Sequence, residues 1–312
     1  MGGMKDKRVI IAYPHGFCSG VSRAVEAMGE AVQRYPGPIY GYHEVVHNRQ
    51  IVGDLSNRGA IFVETLEHVP VGATLLFSAH GVSPRVRTAA QEKKLQVVDA
   101  TCPFVAKAHA KVQRLARDGF SILLIGHRHH EEVVGVAAEA PGHVIVIENE
   151  DEARTVQPPH PDRVGVVTQT TLSVTFVNTM LTLLRERFPC LVAPGKGDIC
   201  YATQNRQQAV EALARQCECV LVLGSRNSSN SRRLAEIAET CGRPSFLLSQ
   251  KADLDAVDLS AIGALGVTSG ASTPESFLHE ILDGLKRRGF ARTENMTVAH
   301  ENIRSFPLPD FP

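Results

Sequence analysis

The chain has no surplus of charge of either sign, no long apolar run and no Cys-x-x-Cys pair, and each absence excludes something. Lysine plus arginine equals aspartate plus glutamate at 33 each, so no overall field draws the molecule toward nucleic acid or an anionic membrane. No apolar stretch approaches the roughly 20 residues that span a bilayer, and Met1 to Lys7 is short and polar, without the apolar centre of an export signal. The expectation is a cytoplasmic protein with neither nucleic acid nor membrane as a partner. Structural zinc knuckles are built on Cys-x-x-Cys; the nearest approach, Cys217 and Cys219, has one intervening residue. Seven cysteines make an odd count, unlike a secreted disulfide framework, and a reducing compartment keeps them as thiols or metal ligands.

What is present is an ordinary globular composition: 312 residues, 43% hydrophobic and 21% charged, enough for two or three compact domains. Three of the cysteines are placed alike. Cys18 in Gly-Phe-Cys-Ser-Gly, Cys102 in Asp-Ala-Thr-Cys-Pro and Cys200 in Asp-Ile-Cys-Tyr-Ala-Thr each follow a short apolar run that reads as a strand (Val9 to Ala12, Leu95 to Val98, Leu191 to Ala193). Each also opens a helical pattern: Val21, Ala24, Val25, Met28; then Val105, Ala108, Val112, Leu115; then Val210, Leu213, Ala214, Cys217. The thiols therefore belong at helix N-termini, where the backbone dipole favours a thiolate. Cys190, Cys217, Cys219 and Cys241 lack this setting, and the last three read as packing residues.

Polar clusters recur at similar offsets from these cysteines. Cys18 is followed 29 residues on by His47 and 62 on by His80; Cys102 is followed 28 on by His130 and 68 on by Thr170; Cys200 is followed 29 on by Ser229 and 72 on by Ser272. Polar turns follow strands in any α/β protein, but six at repeating offsets indicate a triplicated α/β unit of short, mainly parallel strands. The expected boundaries are 20–102, 103–199 and 200–287, the last joined by the N-terminal strand 8–19. From 288 to 312 the periodicity dissolves, and this tail reads as a strap over the surface.

Three sulfurs leave two chemistries open: zinc with an open position, or an iron-sulfur cluster lacking one protein ligand. Ligands drawn from separate units suit the corners of a cluster. Its uncapped iron would act as a Lewis acid toward a hydroxyl. The loop residues His47, His80, His130, Thr170, Ser228, Ser229, Asn230 and Ser272 form a donor-rich set with few permanent charges, suited to phosphate.

The strings Gly-Phe-Cys-Ser-Gly-Val, His-Glu-Val-Val-His-Asn-Arg, Phe-Ser-Ala-His-Gly-Val-Ser, Asp-Ala-Thr-Cys-Pro, Thr-Gln-Thr-Thr-Leu-Ser-Val, Asp-Ile-Cys-Tyr-Ala-Thr-Gln-Asn-Arg-Gln, Asn-Ser-Ser-Asn-Ser and Gly-Val-Thr-Ser-Gly-Ala-Ser resemble, in order, those of the 4-hydroxy-3-methylbut-2-enyl diphosphate reductases, the LytB family. The resemblance implies the last step of non-mevalonate isoprenoid synthesis, in which an allylic hydroxyl is reductively removed to give isopentenyl and dimethylallyl diphosphate. It also implies three pseudo-threefold related α/β domains around a central iron-sulfur cluster, usually four-iron, and a ferredoxin or flavodoxin as electron donor. Carried over, the cluster ligands are Cys18, Cys102 and Cys200. The diphosphate contacts are His47, His80, His130, Ser228, Ser229, Asn230 and Ser272. Glu132 and Thr170 lie near the substrate hydroxyl, with Glu132, Thr170 and His130 as the catalytic group. One departure is that the family places proline between histidine and glutamate, whereas this chain reads His129-His130-Glu131-Glu132. Register with Val133 and Gly135 favours Glu132, with Glu131 a conceivable substitute.

Two other classes remain open on sequence: a transferase or hydrolase with a single cysteine nucleophile, and a non-catalytic diphosphate-binding iron-sulfur sensor. The first needs one special cysteine, and the repeat offers three. His43 reads as supporting, His127 and His129 as solvated or outlying. Asn205, Arg206 and Arg49 read equally well as site-orienting or solvated. His109, His68, His143, His160 and His300 read as surface or packing residues.

Overall fold

The computed structural model describes residues 7–195, 198–301 and 306–312. Most of the Met1–Lys7 leader and part of the tail lie outside the described residues. In chain order the first elements are β1 (Arg8–Tyr13), α1 (Ser19–Arg34), β2 (Ile39–Tyr42), α2 (Arg49–Asn57), β3 (Ala60–Val63), β4 (Thr74–Phe77), α3 (Pro84–Glu92) and β5 (Gln96–Asp99). There follow α4 (Pro103–Arg117), β6 (Ser121–Ile125), α5 (Glu131–Ala137), β7 (Val144–Ile147), α6 (Glu150–Thr155), β8 (Val164–Thr168) and α7 (Val174–Arg187). The last are α8 (Tyr201–Gln216), β9 (Cys219–Leu223), α9 (Ser229–Thr240), β10 (Ser245–Leu248), β11 (Ala264–Ser269), α10 (Glu275–Arg287) and β12 (Arg292–Thr297). Strands mostly alternate with helices because parallel neighbours need a crossover, with β3 to β4 and α7 to α8 among the exceptions, and most of the apolar runs of four to six residues between helical stretches form strands. The protein is an α/β fold with three short parallel sheets among the described residues, ordered β10-β9-β11-β1-β12, β3-β2-β4-β5 and β7-β6-β8.

The chain divides into two compact units. The first holds residues 7–19, 47–49 and 201–301. Its five-stranded sheet takes β1 between β11 and β12, both parallel to it. Alternation sends Val9 and Ile11 of β1 to one face, where they pack with Phe277, Ile281 and Leu285 of α10. Ile10 and Ala12 face the other way, onto Val210 and Leu213 of α8 and Leu234 of α9. Both faces are covered, which is why β9 is buried along its whole length.

The second unit holds residues 20–46, 50–195, 198–200 and 306–312. β6 repeats the arrangement: Leu123 and Ile125 meet Val177, Leu181 and Leu184 of α7, while Ile122 and Leu124 meet Val112 and Leu115 of α4 and Val133 of α5. Each such leucine or isoleucine contributes on the order of 1.5–3 kcal/mol by leaving water. Residues 306–312 run beside α1: Arg23 Nε donates to the Pro307 carbonyl at 2.8 Å, and the Arg34 guanidinium lies 4.6 Å from the Phe311 ring centroid.

Two local expectations change. Leu191 to Ala193 is not a strand but a single bridge, in which Val192 exchanges hydrogen bonds with Val164 and Val166, both at 2.9 Å. Pro189 and Pro194 bracket that run and cannot donate to a ladder. The tail is not all strap, since Arg292–Thr297 adds a parallel edge to β1. That strand is polar and largely exposed, held by backbone bonds, so it carries no hydrophobic signature.

Candidate active site

Each of the three like-placed cysteines is anchored by its backbone to a neighbouring polar loop. The Cys18 amide donates to the Ala271 carbonyl at 3.2 Å, beside Ser272; that of Cys102 to Ala79 at 3.0 Å, beside His80; that of Cys200 to Thr170 at 3.1 Å. Parallel pairing explains all three. β1 runs beside β11, β5 beside β4, and the Val192 bridge beside β8, so the residues leaving the C-terminal ends of adjacent strands stay adjacent. Cys18 and Cys200 immediately precede α1 and α8, and Cys102 is the N-cap of α4, with no side-chain capping bond of its own.

None of the seven cysteines forms a disulfide. Cys217 and Cys219 are buried among apolar side chains, and burial pushes their thiols up to about 12 and about 11, which opposes the deprotonation that metal ligation requires. Cys18, Cys102 and Cys200 are partly exposed at helix starts. By donor chemistry they fit an iron-sulfur cluster, and the buried pair does not.

In the second unit, Glu132 and Thr170 form a closed pair. Glu132 is only 3% exposed. The Thr170 amide donates to its Oε1 at 2.7 Å and the Thr170 hydroxyl to its Oε2 at 2.8 Å. Burial raises this carboxyl to about 7, against the opposing effect of the two Thr170 bonds. Gln169 holds the loop in place, its Oε1 accepting from the His127 amide at 3.0 Å and its Nε2 donating to Thr171 Oγ1 at 3.1 Å. Thr170 thus offers its amide to the carboxyl of Glu132 and its carbonyl to the amide of Cys200.

Next to this pair, His130 caps α5 by accepting the Glu132 amide on Nδ1 at 3.2 Å, which places the neutral ring's proton on Nε2. The His80 and His130 rings meet edge to face at 5.8 Å. Glu131 turns the other way from Glu132 and pairs with His80 Nδ1 at 2.9 Å. The two adjacent carboxyls that the sequence left as alternatives therefore have different surroundings. His43 sits at φ 58° with Nδ1 2.7 Å from Glu64 and 4.0 Å from Glu131.

In the first unit, Ser228 is the N-cap of α9, accepting from the Ser231 amide and hydroxyl at 3.3 and 3.1 Å. Ser229 and Asn230 are buried in the first turn. A Cβ on Gly224 or Gly270 would lie 2.2 or 2.0 Å from Ser231 Oγ, so only glycine lets these loops close on the helix start. Asn230 is 5% exposed, yet neither its Nδ2 nor its Oδ1 has a protein partner. Such an orphaned carboxamide at a helix N-terminus marks a place completed by a ligand. Ser272 Oγ donates to the His47 carbonyl at 3.2 Å.

Some residues carry more than the sequence disclosed. Arg206 is fully buried, with Nη1 2.9 Å from Glu301 and Nη2 2.8 Å from the Gly16 carbonyl, so the solvated reading of Arg206 is wrong. Breaking such a pair costs about 3–5 kcal/mol. The packing reading of His109 holds: it is 6% exposed, with Nδ1 2.7 Å from Glu139, and burial lowers its pKa. Burial also pushes Glu139 up, but bonds from His109, Gln113 and Arg87 hold it below the usual carboxylate range.

The family model described as LytB protein matches residues 9–286. This chain belongs to the LytB family. It is 48% identical over 309 residues to the 4-hydroxy-3-methylbut-2-enyl diphosphate reductase of Mycobacterium sp. (strain KMS), covering 99% of this chain and 92% of that protein. It is 49% identical over 304 residues to 4-hydroxy-3-methylbut-2-enyl diphosphate reductase 2 of Mycobacterium tuberculosis (strain ATCC 25618 / H37Rv), covering 97% and 90%. Among solved structures, the E-1-hydroxy-2-methyl-but-2-enyl-4-diphosphate reductase from Plasmodium falciparum superposes with a TM-score of 0.94 at 38% identity, covering 97% of this chain and 96% of that one. The LytB match runs from β1 into α10 and so includes every cysteine and polar loop described above. Among the described residues no helix is long and apolar enough to cross a membrane.

Proposed function

We propose that this chain reduces (E)-4-hydroxy-3-methylbut-2-enyl diphosphate: two electrons and two protons enter, the allylic C–O bond breaks, and water leaves with isopentenyl or dimethylallyl diphosphate. The observation that carries this reading is the buried Glu132–Thr170 pair, whose Thr170 carbonyl accepts the amide of Cys200. Full-length likeness to reductases of that name supports it.

Cys18, Cys102 and Cys200 would hold an iron-sulfur cluster with one iron uncapped. When bound, the cluster supplies single electrons and a Lewis-acidic position. The remaining work falls to side chains. A carboxyl at about 7 holds a proton in a large share of molecules at neutral pH. In that form Glu132 Oε2–H donates to Thr170 Oγ1, and the Thr170 hydroxyl proton turns outward to the departing oxygen. The resemblance assigns the diphosphate contacts to His80 and His130 and to His47, Ser228, Ser229, Asn230 and Ser272, and the α9 N-terminus offers amides suited to an anion.

The three cysteines would come from three α/β units, 20–102, 103–199 and 200–287 with 8–19, and a ferredoxin or flavodoxin in the cytoplasm would donate the electrons. Anaerobic incubation of the chemically reduced, reconstituted protein with the diphosphate, followed by product identification, tests the reading. Isopentenyl and dimethylallyl diphosphate are expected. Binding without conversion would mark a sensor, and hydrolysis or transfer dependent on one thiol alone would mark a nucleophile.

A further inference from the structure

The three cysteine helices share a second feature outside the substrate site. On α1, Arg23 lies five residues after Cys18. Its Nη1 donates to the Thr101 carbonyl at 3.1 Å and its Nη2 to the Asp99 carbonyl at 3.3 Å, the segment that leads into Cys102. On α4, Lys111 lies nine residues after Cys102. Its Nζ is 2.5 Å from Asp198 Oδ2, with the lysine side chain 10% and the aspartate 7% exposed, and Lys107 approaches Oδ1 at 3.9 Å. Asp198 lies two residues before Cys200. On α8, Arg206 lies six residues after Cys200, and its Nη2 donates to the Gly16 carbonyl at 2.8 Å and the Phe17 carbonyl at 3.4 Å, directly before Cys18.

We propose that these cations are positioning residues that work in rotation: the helix behind each cysteine carries a cation that fixes the turn in front of the next. Arg23 serves Cys102, Lys111 serves Cys200 and Arg206 serves Cys18. The three differ in identity and offset, so the repeat in the chain does not display them, yet each grips residues within three positions ahead of a thiol. The Gly16 carbonyl and the Asp198 carboxylate are largely buried and need a donor, and at the more exposed Asp99–Thr101 segment the cation still ties the turn to a helix. The consequence is local: each cation governs the presentation of one cysteine. The proposal rests on the reading of the three cysteines as ligands, and its test separates the two.

The test uses the full chain, anaerobic and free of metal, with iodoacetamide labelling of each cysteine followed by peptide mass spectrometry. In Arg23→Met, labelling of Cys102 is expected to accelerate roughly tenfold, the effect of losing one or two hydrogen bonds that oppose local opening, with Cys18 and Cys200 unchanged. Lys111→Met does the same to Cys200 and is rescued by Lys111→Arg. Arg206→Met combined with Glu301→Gln, which leaves no unpaired buried carboxylate, does the same to Cys18; if that variant does not fold, the Arg23 and Lys111 arms still decide. Uniform acceleration at all three cysteines, or none, would overturn the rotation. Iron and sulfide measured on the reconstituted wild type report separately: a wild type that takes up no cluster removes the ligand reading, while the labelling pattern still judges the positioning.

Discussion

The buried polar groups around Glu132 and those around Asn230 are both nearly sealed from water, yet they are finished to different degrees. At Glu132 each carboxyl oxygen is met by a donor from Thr170. At Asn230 the carboxamide nitrogen and oxygen are both unmet. The first group is complete before any ligand arrives, and its burial raises the carboxyl to about 7, where it can exchange a proton near neutral pH. The second is incomplete: each orphaned atom costs about 1–3 kcal/mol, and an anion's acceptor oxygen would meet Nδ2 while Oδ1 needs a donor hydrogen. If, as proposed, the first region serves chemistry and the second binding, substitutions should split along that line.

The largest expected effect is on turnover. Glu132→Gln keeps the shape but carries no transferable proton, and steady-state assays should show kcat lower by about 10²–10³ with the cluster's visible absorption unchanged. A near-normal rate would remove Glu132 from the proton path. Asn230→Ala should do the reverse: KM for the diphosphate rises roughly tenfold with kcat little altered, and thermal stability holds or improves, because two orphaned atoms leave with the side chain. A clear loss of stability would show that the carboxamide has partners in the protein after all.

A smaller effect concerns pH. The folded carboxyl of Glu132 lies at about 7, above its ordinary 4.5, so between those values the folded chain keeps a proton that the unfolded chain releases. Folding stability contributed by this group therefore falls as pH rises through that window, by roughly 3 kcal/mol in total. Denaturant midpoints at pH 5 and pH 8 should differ less for Glu132→Gln than for the wild type; equal slopes would mean the carboxyl is ionised throughout. The smallest effect is expected at Glu131. It is partly exposed and paired with His80, so Glu131→Gln should change kcat by less than about fivefold, and a loss equal to that of Glu132→Gln would reverse the assignment.

How far the sequence disclosed this arrangement depended on the kind of interaction. Alternating apolar runs and the helices behind Cys18, Cys102 and Cys200 were legible because burial leaves a period in the chain. The expected role of Glu132 came through resemblance, whereas Asn230 was already legible in the polar loop that the repeat places after Cys200; nothing in composition distinguishes Glu132 from Glu131, and only the fold turns one toward Thr170 and the other toward His80. Arg23, Lys111 and the Arg206–Glu301 pair were illegible as anchors. The partners named for them lie 76 to 190 residues away, and those that are backbone carbonyls have no side-chain identity to read. β12 was missed for a related reason, because an exposed edge strand needs only backbone bonds.

The most direct measurement is iron and sulfide content after anaerobic reconstitution of five single variants: Cys18→Ser, Cys102→Ser, Cys200→Ser, Cys217→Ser and Cys219→Ser. The expected result is that the first three each lose the cluster to a similar extent while the last two retain the wild-type content of about four iron and four sulfide per chain. Retention of full content by any of the first three, or loss of activity confined to a single thiol, would contradict the claim that these cysteines jointly hold one cluster.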